Sequence, residues 1–291
     1  MSQFDHLIAR LEGLIDRVER ILPAAPPQPD WSAQAFRWRQ PANGLGYLQA
    51  VKNPHRVALE SLQNVDRQKD AILRNTAQFV AGHEANNVLL TGARGTGKST
   101  LIKACWNHFS DQGLKLIEVD KIDLLHLPDI VDLIGERPER FIIFCDDLSF
   151  EEGEITYKAL KSVLDGTVAA PTPNILFYAT SNRRHLLPQK MRDNLDVSYE
   201  DGEVRPSESI EEKVSLSERF GLWLSFYPFS QDDYLVTARY WVEHMGGQWG
   251  EATELEALRW HMTRGARSGR VAWQFAKDYV GRQLSDSLSV E

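Results

Sequence analysis

The sequence predicts an α/β fold: a parallel sheet flanked by helices, followed by a small all-helical unit at the C-terminal end. Three observations predict it. Short, mainly apolar runs at 87–90, 114–119, 141–145, 175–179 and 222–229 alternate with helical patterns, and continuous rather than strictly alternating apolarity marks strands buried on both faces. A glycine-rich run at 92–100 separates the first of those strands from a helical pattern at 99–109. Beyond residue 230 the strand pattern ceases and helical stretches follow at 231–244, 251–263 and 268–284.

In chain order, Phe4, Ile8, Leu11, Ile15, Val18 and Leu22 form an apolar seam at heptad spacing, which predicts an amphipathic helix over 1–22. Pro23 stops it, and Pro23, Pro26, Pro27 and Pro29 make a stiff spacer at the start of a 23–56 linker and extension. The helix then serves self-association or a partner, or packs on its own core. Trp31, Phe36 and Trp38 interleave with Arg37 and Arg39; such a cluster stacks on bases or a partner, or packs the extension onto its domain. An α/β domain over 57–229 starts with a helix at 66–80, and a short helix is expected at 130–134. The polar stretch 196–213 reads as a mobile loop. Ser230 with Asp233 looks like an N-cap pair opening the helical unit, 230–291.

Composition narrows the function classes. At 291 residues and 42% hydrophobic content the chain can bury a real core. It lacks an apolar run of about 20 residues, and its polar start is unlike a signal peptide, so a cytoplasmic protein without a membrane partner is expected. Cys105 and Cys145 lie in apolar surroundings with no C-x-x-C pattern, which suits buried thiols rather than a metal site. A net charge of −8 disfavours an extensive nucleic-acid footprint while leaving room for a local basic patch.

The run Gly92-Ala93-Arg94-Gly95-Thr96-Gly97-Lys98-Ser99-Thr100 is the strongest chemical signal. Its G-x-x-x-x-G-K-[ST] spacing, between a strand and a helix, is that of a phosphate-binding loop (Walker A). Backbone N–H groups and the positive helix end would surround the β- and γ-phosphates of ATP, Lys98 would reach their oxygens, and the Ser99 hydroxyl would ligate Mg²⁺. The strand at 141–145 runs into Asp146 and Asp147, at the sheet edge where α/β proteins hold ligands. This looks like a Walker B element. Asp146 would hold Mg²⁺ and Asp147 would orient the attacking water, with Glu151 or Glu152 as the alternative base.

The order of these elements resembles the AAA+ ATPases over roughly 57–284. More narrowly, Asn75-Thr76-Ala77-Gln78-Phe79, the phosphate loop, and Cys145-Asp146-Asp147-Leu148-Ser149-Phe150 resemble DUF815, a bacterial AAA+ family of unknown function. The resemblance implies a nucleotide between an α/β domain and a helical lid. It implies that Asn182 acts as sensor 1, that Arg219, in Leu216-Ser217-Glu218-Arg219-Phe220-Gly221, is an arginine finger for a neighbouring subunit, and that Arg270, or else Arg267, is sensor 2. It also places adenine near Val65 and Gln68, where Asn64 stands at a position that family members often give to glycine. The aromatic–apolar–glycine loop of threading unfoldases is absent; this chain has Val119-Asp120-Lys121-Ile122-Asp123-Leu124 there. The expected function is a Mg²⁺-dependent, homo-oligomeric ATPase whose cycle moves lid and subunits against a protein or nucleic-acid client. The alternative is a slow ATP-switched adaptor or helicase-loader-like protein that binds its partner in the nucleotide-bound state.

Overall fold

The computed structural model describes residues 8, 10–12, 25–42, 44–150, 154–165, 172–183, 186, 198–200, 203–205 and 216–288. Most of the expected N-terminal helix lies outside the described residues; Ile8, Arg10, Leu11 and Glu12 are helical, and Ile8 and Leu11 are exposed.

Five strands with apolar sequences build the centre of the sheet: β3 (Val88–Gly92), β4 (Leu114–Glu118), β5 (Arg140–Cys145), β6 (Ile175–Ser181) and β9 (Leu222–Phe226). All pair in parallel, in the order β4-β5-β6-β3-β9. Alternate residues of each strand enter opposite cores. Leu89, Ile117, Ile143 and Phe177 join one, and Val88, Leu90, Leu116, Ile142 and Tyr178 the other. Burial on both faces is why the runs carry no polar alternation. The final strand stops at Phe226, short of the expected 229, because Tyr227-Pro228-Phe229 lead directly into the next helix.

The sheet does not begin where the sequence places its domain. β1 (Ala35–Arg39) pairs in parallel with β4, and β2 (Tyr47–Ala50) pairs antiparallel with β1, giving a seven-stranded order β2-β1-β4-β5-β6-β3-β9. The boundary expected at 56/57 therefore divides the sequence but not the sheet. Strand alternation also separates the mixed cluster of rings and arginines. Phe36 and Trp38 are buried in one core and Trp31 packs against it, while Arg37 on the other face pairs with Glu118. Phe36 and Trp38 are thus unavailable for base stacking.

Helix α1 (Asp66–Val80) and α2 (Lys98–Phe109) cover one face; α3 (Leu127–Ile134) and α4 (Ile155–Asp165) cover the other. Residues 121–126, in place of the unfoldase loop, form a 3-10 helix. Within the expected loop at 196–213, β7 (Ser198–Glu200) and β8 (Glu203–Arg205) pair as a hairpin. The C-terminal unit comprises α5 (Gln231–His244), α6 (Glu251–Arg264) and α7 (Gly269–Leu288) around Tyr234, Val242, Ala257 and Phe275. Ser230 and Asp233 form a reciprocal capping box that starts α5. Among the described residues no helix is long and apolar enough to cross a membrane.

A buried polar cluster ties α1 and α2 to the sheet. The Asn75 amide donates to Asn86 O (2.9 Å) and to the Tyr178 hydroxyl (3.2 Å), and its Oδ1 accepts from Asn86 N (3.0 Å). Thr76 Oγ1 shares a 2.7 Å hydrogen bond with Tyr178 and accepts one from the Cys105 thiol. Burial pushes the Cys105 and Cys145 thiols up to about 12, so both stay protonated and structural. Asn75→Ala leaves two partly buried backbone groups of Asn86 and the buried Tyr178 hydroxyl without this partner. A loss of about 2–3 kcal/mol is expected in denaturant unfolding, and a loss below about 0.5 kcal/mol would mean that other groups satisfy them.

Candidate nucleotide and metal site

The phosphate loop sits at the C-terminal end of β3. Gly92, Gly95 and Gly97 have φ of +130°, +75° and +96°, the left-handed range in which glycine has no steric penalty. Gly92 is further constrained because a Cβ there would lie 1.8 Å from Phe226 O. Gly97 ends the turn, and Lys98 is the first residue of α2, so the helix's free N–H groups point into the loop. Thr96 closes the turn by donating to Ala93 O at 2.8 Å.

Lys98 is 6% exposed and its ammonium donates to Gly92 O (2.8 Å), Ala93 O (2.7 Å) and Asn182 Oδ1 (3.0 Å). Burial holds it below the ordinary lysine range. Asp146 and Asp147 act in the opposite direction, and Arg94 and Arg270 reinforce the lowering. Asn182 completes a relay by donating from Nδ2 to Asp147 Oδ1 at 2.5 Å. Lys98, Asn182 and Asp147 are therefore linked by direct hydrogen bonds.

Asp146 turns the other way. Its Oδ1 accepts from Ser99 Oγ (2.5 Å) and Thr180 Oγ1 (2.5 Å). The divergence arises from Asp147, which has φ of +51°, a conformation that Asp tolerates better than most residues. Its N–H is held by Thr180 Oγ1 at 3.0 Å and Asp146 Oδ1 at 3.2 Å. Thr180 thus holds the Asp146 carboxylate and the Asp147 backbone. In sequence Thr180 is marked only by lying two residues before Asn182; its place near the C-terminal end of β6, beside β5, brings it to Asp146 and Asp147. The donor set fits Mg²⁺, since Ser99 and Asp146 offer hard oxygen ligands adjacent to the phosphate cradle. Among the described residues there is no separate cluster of three or more His, Cys, Asp or Glu side chains suited to a metal.

The remaining expected residues lie around this centre. Val65 is buried and caps α1, and Gln68 donates from Nε2 to Ser225 O at 2.9 Å, beside the end of β9. Asn64 adopts φ of +61°, the left-handed turn expected of it. Arg270 lies at the phosphate loop, with its N–H 3.4 Å from Gly95 O, whereas Arg267 acts electrostatically on His261 in α6. Arg219 stands apart. It precedes β9 at the sheet edge opposite the phosphate loop and pairs with Asp165 at the end of α4. Glu151 and Glu152, the alternative bases, lie outside the described residues.

No protein of curated function matches the sequence. Among solved structures, the RuvB Holliday junction branch migration motor of Thermotoga maritima is 17% identical over 76% of this chain and 63% of that one, with a TM-score of 0.47. Two variants of it are 17% and 19% identical, cover 80% and 78% of this chain and 66% and 63% of theirs, and give TM-scores of 0.48 and 0.47. The chain thus spans about 63% of the length of the first of these. The parallel strand order, the phosphate loop at the end of β3 and the C-terminal helices together make an AAA+ type fold. The family described as "Protein of unknown function (DUF815)" matches residues 31–283, from the start of the sheet extension into the last helix, and this chain belongs to that family.

Proposed function

We propose that this protein is a Mg²⁺-dependent ATPase that works in the cytoplasm as a homo-oligomer, coupling ATP binding and hydrolysis to movement of its C-terminal helical unit and of neighbouring subunits. The observation that carries the reading is the linked cluster in which Lys98 bonds Asn182, Asn182 bonds Asp147, and Ser99 bonds Asp146. It gathers a buried ammonium, a hydroxyl–carboxylate pair of hard oxygens and a second carboxylate at one sheet edge, groups suited to phosphate, Mg²⁺ and water respectively. ATP phosphates would lie across the loop N–H groups and Lys98, and bound Mg²⁺ would offset their charge. Asp147, steadied by Asn182, would accept a hydrogen bond from the attacking water and align it with the γ-phosphate. Arg270 would reach the same phosphate from the helical unit. The client, protein or nucleic acid, would respond to the resulting change in shape.

A slow, partner-dependent switch is the second reading. It is favoured by the Arg219–Asp165 pair, which holds the candidate finger within its own chain. Steady-state ATPase activity measured against protein concentration, with light scattering on the same samples, separates the two. Specific activity rising with assembly supports the oligomeric ATPase, and nucleotide binding with flat, negligible turnover supports the switch. Binding of neither ATP nor ADP would reject both.

Asp147→Asn keeps an oxygen for the Asn182 amide but loses the charge and basicity that act on water. ATP affinity is expected to stay within about threefold while turnover falls about 100-fold. Equal turnover in the variant would move the base to Glu151 or Glu152.

A further inference from the structure

The C-terminal helical unit touches the α/β unit on two sides of the phosphate loop. On one side, the N-terminus of α7 lies on Gly95: the Arg270 N–H is 3.4 Å from Gly95 O, and a Cβ on Gly95 would come within 2.9 Å of Ser268 Oγ. That hydrogen bond is long and runs between main-chain atoms. On the other side, the Asn64 amide donates to Asp233 O (2.9 Å) and to Thr237 Oγ1 (3.3 Å), both on the first turns of α5. Thr237 Oγ1 in turn donates to Asp233 O at 2.7 Å, and Asp233 also closes the Ser230 capping box. Asn64 therefore grips the stiffest part of α5. Its grip spans the short joint, 227–230, between β9 and α5.

We infer that Asn64 is a positioning residue, a latch that fixes the angle of the helical unit over the nucleotide site and about which the α7 end swings on and off Gly95. The inference rests on the ATPase reading above and deepens it. A left-handed turn alone would be served by glycine; Asn tolerates φ of +61° and adds the amide that reaches α5. Without the latch the helical unit samples other angles, and only the fraction of molecules at the competent angle binds nucleotide at full strength.

Asn64→Gly tests this cleanly, because it keeps the turn and removes only the amide. Spin labels on Gln78→Cys in α1 and Glu254→Cys in α6, both exposed, report the angle directly, since Cys105 and Cys145 are buried and escape labelling. In the absence of nucleotide, Asn64→Gly is expected to broaden the distance distribution. With Mg²⁺ and a non-hydrolysable ATP analogue, its dissociation constant should rise about fivefold to tenfold while the unfolding midpoint stays within a few degrees. Thr237→Val, which removes the longer of the two hydrogen bonds and leaves Asn64 bonded to Asp233 O, should produce a smaller shift in the same direction, and the double variant should match Asn64→Gly alone. An unchanged distance distribution in Asn64→Gly overturns the latch. A broadened distribution with unchanged analogue affinity overturns its role at the site. Failure of the unsubstituted protein to bind the analogue would instead reject the nucleotide reading, leaving the distance measurement to decide the latch.

Discussion

Lys98→Ala is expected to weaken ATP binding about 100-fold and to remove measurable turnover, the largest single effect at this site. The side chain is 6% exposed and its ammonium already makes three hydrogen bonds, to Gly92 O, Ala93 O and Asn182 Oδ1. It is thus oriented into the cradle before phosphate arrives, and little side-chain entropy remains to be lost on binding. Two charge-assisted hydrogen bonds to phosphate account for a loss of that size. Isothermal titration with a non-hydrolysable ATP analogue and Mg²⁺ checks it. Because the loop conformation belongs to Gly92, Gly95 and Gly97, the variant should keep its circular dichroism spectrum. An affinity within threefold of the original would mean that phosphate does not lie on Lys98, and the nucleotide assignment would fall with it.

Arg219→Ala is expected to lower turnover about 10³-fold with little change in ATP affinity, through a site on the neighbouring subunit. The sheet supplies the reason for assigning it to a neighbour. β3 and β9 run in parallel, with Val88 opposite Leu222 and Gly92 opposite Phe226. Arg219 precedes the first of these pairs, while its own phosphate loop follows the last, about 13 Å along the strand. Its guanidinium pairs with Asp165, yet both side chains are partly exposed, at 23% and 40%. A pair of that kind contributes at most about 1 kcal/mol, so a phosphoryl group of growing negative charge can draw the arginine away. Mixing Arg219→Ala with Asp147→Asn, each strongly impaired, should restore hydrolysis at about one interface in four for equal amounts, because each supplies what the other lacks. No recovery in the mixture would count against a finger acting between subunits.

Most of the central fold was legible because its strands are mainly apolar runs without strict alternation and its helices begin at recognisable signals, the glycine-rich loop for α2 and the Ser230 box for α5. β1 and β2 were not. AFRWR and YLQA follow a proline-rich segment, and only pairing with β4 makes them part of the sheet. α4 was missed for a similar reason. Its buried positions are only Thr156, Tyr157 and Leu160, too few to stand out beside the acidic residues before it. At the site, Lys98, Ser99, Asp146 and Asp147 were readable because loop and strand spacing place them. The hydrogen bonds of Thr180 to the Asp146 carboxylate and the Asp147 N–H, and the grip of Asn64 on α5, join residues 33 to 173 positions apart, and no local pattern encodes such pairs.

The strands added by 35–50 also decide what the sheet shows to other molecules. Without β1, the whole hydrogen-bonding edge of β4 would face solvent, flanked by Leu116 and Ile117, a ready template for pairing with another unfolded or partly folded chain. With them, the outermost strand is the four-residue β2, whose sequence YLQA offers a short and partly polar rim. The extension thereby shortens the edge the sheet leaves open, and the family match, which begins at Trp31, includes both of its strands.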